Sequence, residues 1–118
     1  MRKVYEIELD KKHKLRLGTN EIAALEETLG RPITSLVQVG ADGKRILNFG
    51  IRELRAILWA GLLREARDEE RMPYTLDDVG DLIDDAPNYG ELSRTLGMAL
   101  GEALGGPAKN APAANPTP

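Results

Sequence analysis

The sequence predicts an α+β fold, mainly α, in which an N-terminal β-hairpin packs on a small bundle of about four to five helices. Three observations predict it. Residues 3–17 alternate apolar and charged side chains with a period of two, the mark of half-buried strands. Beyond residue 17, most of the chain repeats its apolar residues three and four apart, and Gly30, Pro32, Pro73 and Pro87 break that pattern into segments. Aromatic residues make up only 4% of the chain, so the core must come from Leu, Ile, Val and Ala, which suits helices.

The hairpin comes first. In KVYEIELD, Tyr5, Ile7 and Leu9 alternate with Glu6 and Glu8; in HKLRL, His13, Leu15 and Leu17 alternate with Lys14 and Arg16. Setting Ile7 opposite Leu15 also puts Leu9 against His13 and Tyr5 against Leu17 on one face. It puts Glu8 against Lys14 and Glu6 against Arg16 on the other, so one register satisfies both apolar pattern and charge. The loop is then Asp10-Lys11-Lys12, and His13 is a strand-end residue without a chemical role. An isolated hairpin is marginal, so its apolar face must lie on a helix.

Thr19 or Asn20 caps the next helix, EIAALEETLG, with Ile22, Leu25 and Leu29 as its stripe and Gly30 in the C′ position. Pro32 suits the first turn of a short helix over PITSLVQV, followed by a loop. Asp42-Gly43 is also a hairpin signal, and the alternative is a second strand pair formed by Val37, Val39, Ile46 and Phe49. Helix plus loop is the preferred reading.

The chain is organised around IRELRAILWAGLL, Ile51 to Leu63, entered from Asn48 or Gly50. Ile51, Leu54, Ile57, Leu58, Gly61 and Leu62 share one broad helical face. Trp59, the sole Trp, and Leu63 lie on a second face beside Ala56 and Ala60, with Arg55 between the two. A surface helix normally needs one apolar stripe. Either this helix is central and covered on both sides, or its second face meets a partner. Trp59, Leu63, Arg55 and Arg52 are the candidate partner-binding residues.

The helix runs out through the charged REARDEER and stops before Met72-Pro73. Thr75, in a capping box with Asp78, starts LDDVGDLIDDA, whose stripe is Leu76, Val79, Leu82 and Ile83. Its aspartates, Asp77, Asp78, Asp81, Asp84 and Asp85, form a solvated outer face, since they sit on a helical pattern and not at calcium-loop spacing. Asn88-x-x-Glu91 opens the last helix, which carries Leu92, Leu96, Leu100 and Leu104. Gly97 and Gly101, four apart, read as close packing on a neighbour or as a helix weak enough to move. Residues 1–106 form one globular domain. Residues 107–118, with four Pro and no large apolar side chain, are read as a disordered tail.

Several function classes are disfavoured. A formal net charge of −3 speaks against a dedicated nucleic-acid binder. The chain has no Cys and a single His, which excludes thiol chemistry and a His-based metal site. No apolar run approaches the roughly 20 residues of a membrane span, and the N-terminus lacks a signal-peptide core. GADGK at 40–44 lacks phosphate-loop spacing. The expectation is a cytoplasmic protein that is not an enzyme, with no cofactor, no metal, no nucleic acid and no membrane.

The order of elements, with AALEETLGRPI, then LRAILWAGL at Leu54 to Leu62, then LDDVGDLI at Leu76 to Ile83, resembles the small tail proteins of siphophages and gene transfer agents. These are grouped as tail assembly chaperones and in some descriptions as tail tube proteins. The resemblance covers about Lys3 to Leu104, and the segment ADGKRILNFG is longer than the family pattern. It implies a chaperone that coats the helical tape measure protein, keeping it soluble until the tube polymerises. The implied partners are the tape measure protein and other tail proteins, with self-association into a homo-oligomer compatible. It brings no catalytic residues. Two further expectations compete: a structural subunit of the tail tube or connector, and a small helical regulatory module.

Overall fold

The computed structural model describes residues 2–47 and 50–105. Strands β1 (Tyr5–Glu8) and β2 (Lys12–Leu15) are followed by α1 (Thr19–Leu29), a 3-10 turn (Ile33–Leu36), β3 (Val37–Val39) and β4 (Arg45–Leu47). Then come α2 (Ile51–Gly61), α3 (Leu63–Asp68), α4 (Leu76–Asp85) and α5 (Tyr89–Ala103). The fold is α+β, mainly α, with the N-terminal hairpin against helices as the patterning predicts.

Helix α2 is the hub. It touches α1, α4, α5, α3 and β2. Leu54, Ile57 and Leu58 are each at most 2% exposed, and Ala56 and Ala60 on the second face are buried as well. Burying each large aliphatic side chain is worth about 1.5–3 kcal/mol. Both sides of the helix are therefore covered, which is why the segment is nearly apolar all round. Ile51, expected on the buried face, is 58% exposed in the first turn of α2.

The helix does not run on smoothly. Leu62 (φ −90°, ψ −4°) shares its N–H between the carbonyls of Leu58 and Trp59, and α3 begins afresh at Leu63. The break leaves the Gly61 carbonyl to accept from the Arg16 N–H at 3.0 Å. A Cβ on Gly61 would fall 2.9 Å from Leu15 Cγ and nearer still to its Cδ1, so only glycine lets β2 lie on the helix here. This is the close approach expected of Gly97 and Gly101. Gly101 has open space around it instead.

The β1–β2 register is Tyr5↔Leu15, Glu6↔Lys14, Ile7↔His13 and Glu8↔Lys12, displaced by two residues from the expected one. A two-residue slip keeps every side chain on its own face and every cross-strand charge pair opposite in sign, so the pattern alone allows both registers. The loop is Leu9 to Lys11. Leu9, at 3% exposed, turns inward there, and Asp10 reaches His13.

Helix α1 is capped at Gly18, not at Thr19 or Asn20. Glu21 Oε1 accepts the Gly18 N–H at 2.8 Å, and Gly30 ends the helix in the left-handed region (φ 74°). The short helix after Pro32 stops at Leu36. In place of the preferred loop, Val37–Val39 pairs with Arg45–Leu47, so the alternative strand pair is what forms. Gly43, at φ 81°, turns its tip. Phe49, Asn48 and the tail from residue 106 lie outside the described residues. Gly50 precedes α2, its N–H donating to Glu53 Oε1 at 2.8 Å. Thr75 and Asp78 cap α4 reciprocally as predicted. Asn88 caps α5 through Glu91 N–H.

Candidate functional site

Of the four candidate partner-binding residues, the structure brings two to an open groove and sets the other two elsewhere. Arg52 and Arg55, one turn apart, line a groove between α2 and α4 together with Ile51. The opposite wall is Asp77, Gly80, Asp81 and Asp84. Trp59 is half-buried against the core, and its indole N–H donates to the Tyr74 carbonyl at 2.9 Å. Leu63, also half-buried, opens α3. The second apolar face is thus covered largely by the chain itself, at Trp59 by the segment that returns from α3 to α4.

The groove has opposite charges on its two walls. Their spacing on each helix produces this: 52 and 55 on α2, and 77, 81 and 84 on α4, recur at three and four residues and so share a face. The walls are not closed by their own ion pairs. Arg55 Nη1 stands 3.9 Å from Asp77 Oδ1, and Asp77 is 98% exposed, a geometry worth little. The Arg55 Nε is buried and has no hydrogen-bond partner among the described residues. Gly80 keeps the floor low where it faces the Arg55 stem. At the α2 end, hydrogen bonds from the backbone N–H groups of Glu53 and Gly50, and beyond them the charges of Arg31 and Arg52, hold the Glu53 carboxyl below its ordinary range.

Sequence reasoning missed one wall. The aspartates of α4 are exposed, as expected, but three of them face the two arginines and not bulk solvent alone. The readable signal was the matched period of opposite charges on two amphipathic segments. The exposure of Ile51 carried no such signal.

His13 is a second departure. It is buried, at 1% exposed, with Nδ1 2.8 Å from Glu65 Oε1 and Nε2 2.6 Å from Asp10 Oδ1. Carboxylates only accept, so this pattern is complete when both ring nitrogens carry protons. Glu65 also accepts the Lys14 N–H at 2.9 Å and Arg71 Nη2 at 3.0 Å. Arg71 lies over the Tyr74 ring, whose edge meets the imidazole. The hydrogen bond from His13 lowers the Asp10 carboxyl, and that from Arg71 lowers the Glu69 carboxyl. These bonds hold β2 to α3 and to the segment after it, and His13, Glu65 and Glu69 also line an open cavity beside β2. The cluster is a structural clamp.

No group of metal-ligating side chains occurs among the described residues, and no described helix is long and apolar enough to cross a membrane. No family model matches the chain, and neither a curated protein nor a solved structure matches it.

Proposed function

We propose that the protein is a tail assembly chaperone that holds a helical segment of a tape measure protein in the groove between α2 and α4. The observation that carries the reading is that groove: an exposed Ile51 flanked by Arg52 and Arg55, facing Asp77, Asp81 and Asp84 across a glycine. An amphipathic helix seats its apolar stripe in such a groove and sets acidic residues toward α2 and basic ones toward α4. The segments AALEETLGRPI, LRAILWAGL and LDDVGDLI, with their likeness to siphophage tail proteins, support a tape measure protein as the partner. Trp59 and Leu63 lie outside the groove and do not enter this reading.

Co-expression with a tape measure protein, followed by pull-down and sizing, tests it. The expected result is a soluble complex that Ile51→Asp and Arg52→Glu each weaken while the free variants stay folded. Absence of a complex, or a complex indifferent to both variants, overturns it. One observation favours the second reading, a structural subunit of the tail tube or connector. The chain carries two hairpins and not one, and subunits of rings join by strand edges.

A further inference from the structure

The two hairpins have opposite relations to the body, and each leaves one backbone edge open. On β2, the Lys14 N–H goes to Glu65 and the Arg16 N–H to Gly61, so these residues turn their backbone away from β1. In an antiparallel ladder the facing residues do the same. Glu6, opposite Lys14, and Glu8, opposite Lys12, therefore point N–H and C=O outward from β1. Among the described residues nothing pairs with them. Beside this edge lies a groove between β1 and the first turns of α5. Its floor is Ile7, Leu92 and Thr95, all buried, and its rim carries Glu6, Glu8 and Glu91 as well as Lys12.

The β3–β4 hairpin is the complement. Its main neighbour is the 3-10 turn that leads into it. Val39 is 70% exposed and Ile46 52%, and because Ile46 pairs with Gln38 while Val39 pairs with Arg45, the two apolar side chains lie on opposite faces. Gly40 N–H bonds to the Lys44 carbonyl, so by alternation the backbone of Arg45 and Leu47 faces away from β3. Two strands alone are marginal in water and gain from a third.

We propose that β4 of one copy adds to the β1 edge of a second copy, seating Ile46 over Ile7 and Leu92. The occupant is another molecule of this chain because one sequence carries both an open donor strand and an open, grooved acceptor edge, with local charges that match. Lys44 immediately precedes β4, and Glu6, Glu8 and Glu91 rim the groove. The contact joins different surfaces of the two molecules, so it propagates head to tail and closes into a ring or extends as a filament. One such contact is small, at the low end of specific interfaces, so association is weak and depends on concentration. The proposal is independent of the α2–α4 groove, whose residues it does not use.

Sedimentation velocity on the full chain, from low micromolar to millimolar concentration, tests it. The expected result is a sedimentation coefficient that rises with concentration. Ile46→Asp removes the donor and leaves the acceptor; Glu8→Pro removes the acceptor and leaves the donor. Each alone should sediment as a monomer with an unchanged circular dichroism spectrum. Mixed, they should form a heterodimer and nothing larger, a result that only a head-to-tail contact gives. If Glu8→Pro unfolds the first hairpin, the double variant Glu6→Lys, Glu8→Lys replaces it. A wild-type monomer across the whole range, an Ile46→Asp variant that associates like the wild type, or a mixture that stays monomeric overturns the proposal.

Discussion

The β1–β2 and β3–β4 hairpins are both two-stranded and antiparallel, yet one is part of the core and the other stands off it. The first buries Ile7, Leu15 and His13 and is tied down by Arg16 N–H on Gly61, Lys14 N–H on Glu65 and the Leu15 side chain over Gly61. The second exposes an apolar side chain on each face. Strand pairing is the same in both. What differs is cover: α5 lies against β1 and both α2 and α3 against β2, whereas β3 meets chiefly the 3-10 turn. A hairpin's stability is thus set by what lies on it more than by its own ladder.

The sharpest way to break this contrast is to unfasten the first hairpin. Glu65→Ala leaves a buried imidazole, an arginine and the Lys14 N–H without their shared acceptor, and should cost about 3–5 kcal/mol, read as a loss in urea midpoint. Gly61→Val should come next, at about 2 kcal/mol, because Leu15 must leave its seat; hydrogen exchange at β2 amides should rise more than at α5. Acid is milder. The folded Asp10 carboxyl lies below its unfolded value, chiefly through the His13 hydrogen bond, so its contribution is full above the ordinary carboxylate range of about 4 and is lost as pH falls through the lowered folded value. Asp10→Asn should therefore flatten the fall of thermal midpoint as pH drops below about 4. Smallest of all, Val39→Thr on the second hairpin should change stability by less than about 0.5 kcal/mol in dilute solution. An effect as large as that of Gly61→Val would mean that the second hairpin is covered after all.

Much of this architecture is legible in the residues. Thr75 and Asn88 announce their helices, Gly30 ends α1, and the period of Leu54, Ile57 and Leu58 marks the hub. What escapes reading has physical reasons. A slip of two residues in β1–β2 conserves both faces, so the register is decided by contacts that the pattern does not carry, such as the bond between His13 and Asp10. Glu65 lies in a charged run, REARDEER, that reads as solvated; its burial depends on a distant strand reaching it, at the 51-residue separation of Lys14 from Glu65. Gly61 sits among alanines and leucines and shows no sign of being the contact point, whereas Gly97 and Gly101 stand out by spacing and, at Gly101, pack on nothing. Of the candidate site, Arg52 and Arg55 were found from sequence, while the acidic wall and Ile51 emerge only when α4 is laid beside α2.

The hydrogen bond from Trp59 to Tyr74 has a spectroscopic consequence. The chain holds one Trp, and its indole is half-buried with its N–H on the backbone of the segment joining α3 to α4. Emission from this single fluorophore therefore reports locally on whether that connector is seated, with no label to attach. Release of the connector would expose the indole to water and shift emission to the red while helical ellipticity held. Global unfolding would move both signals together. The molecule thus carries its own optical gauge for telling a local opening near Arg71 and Tyr74 from loss of the fold.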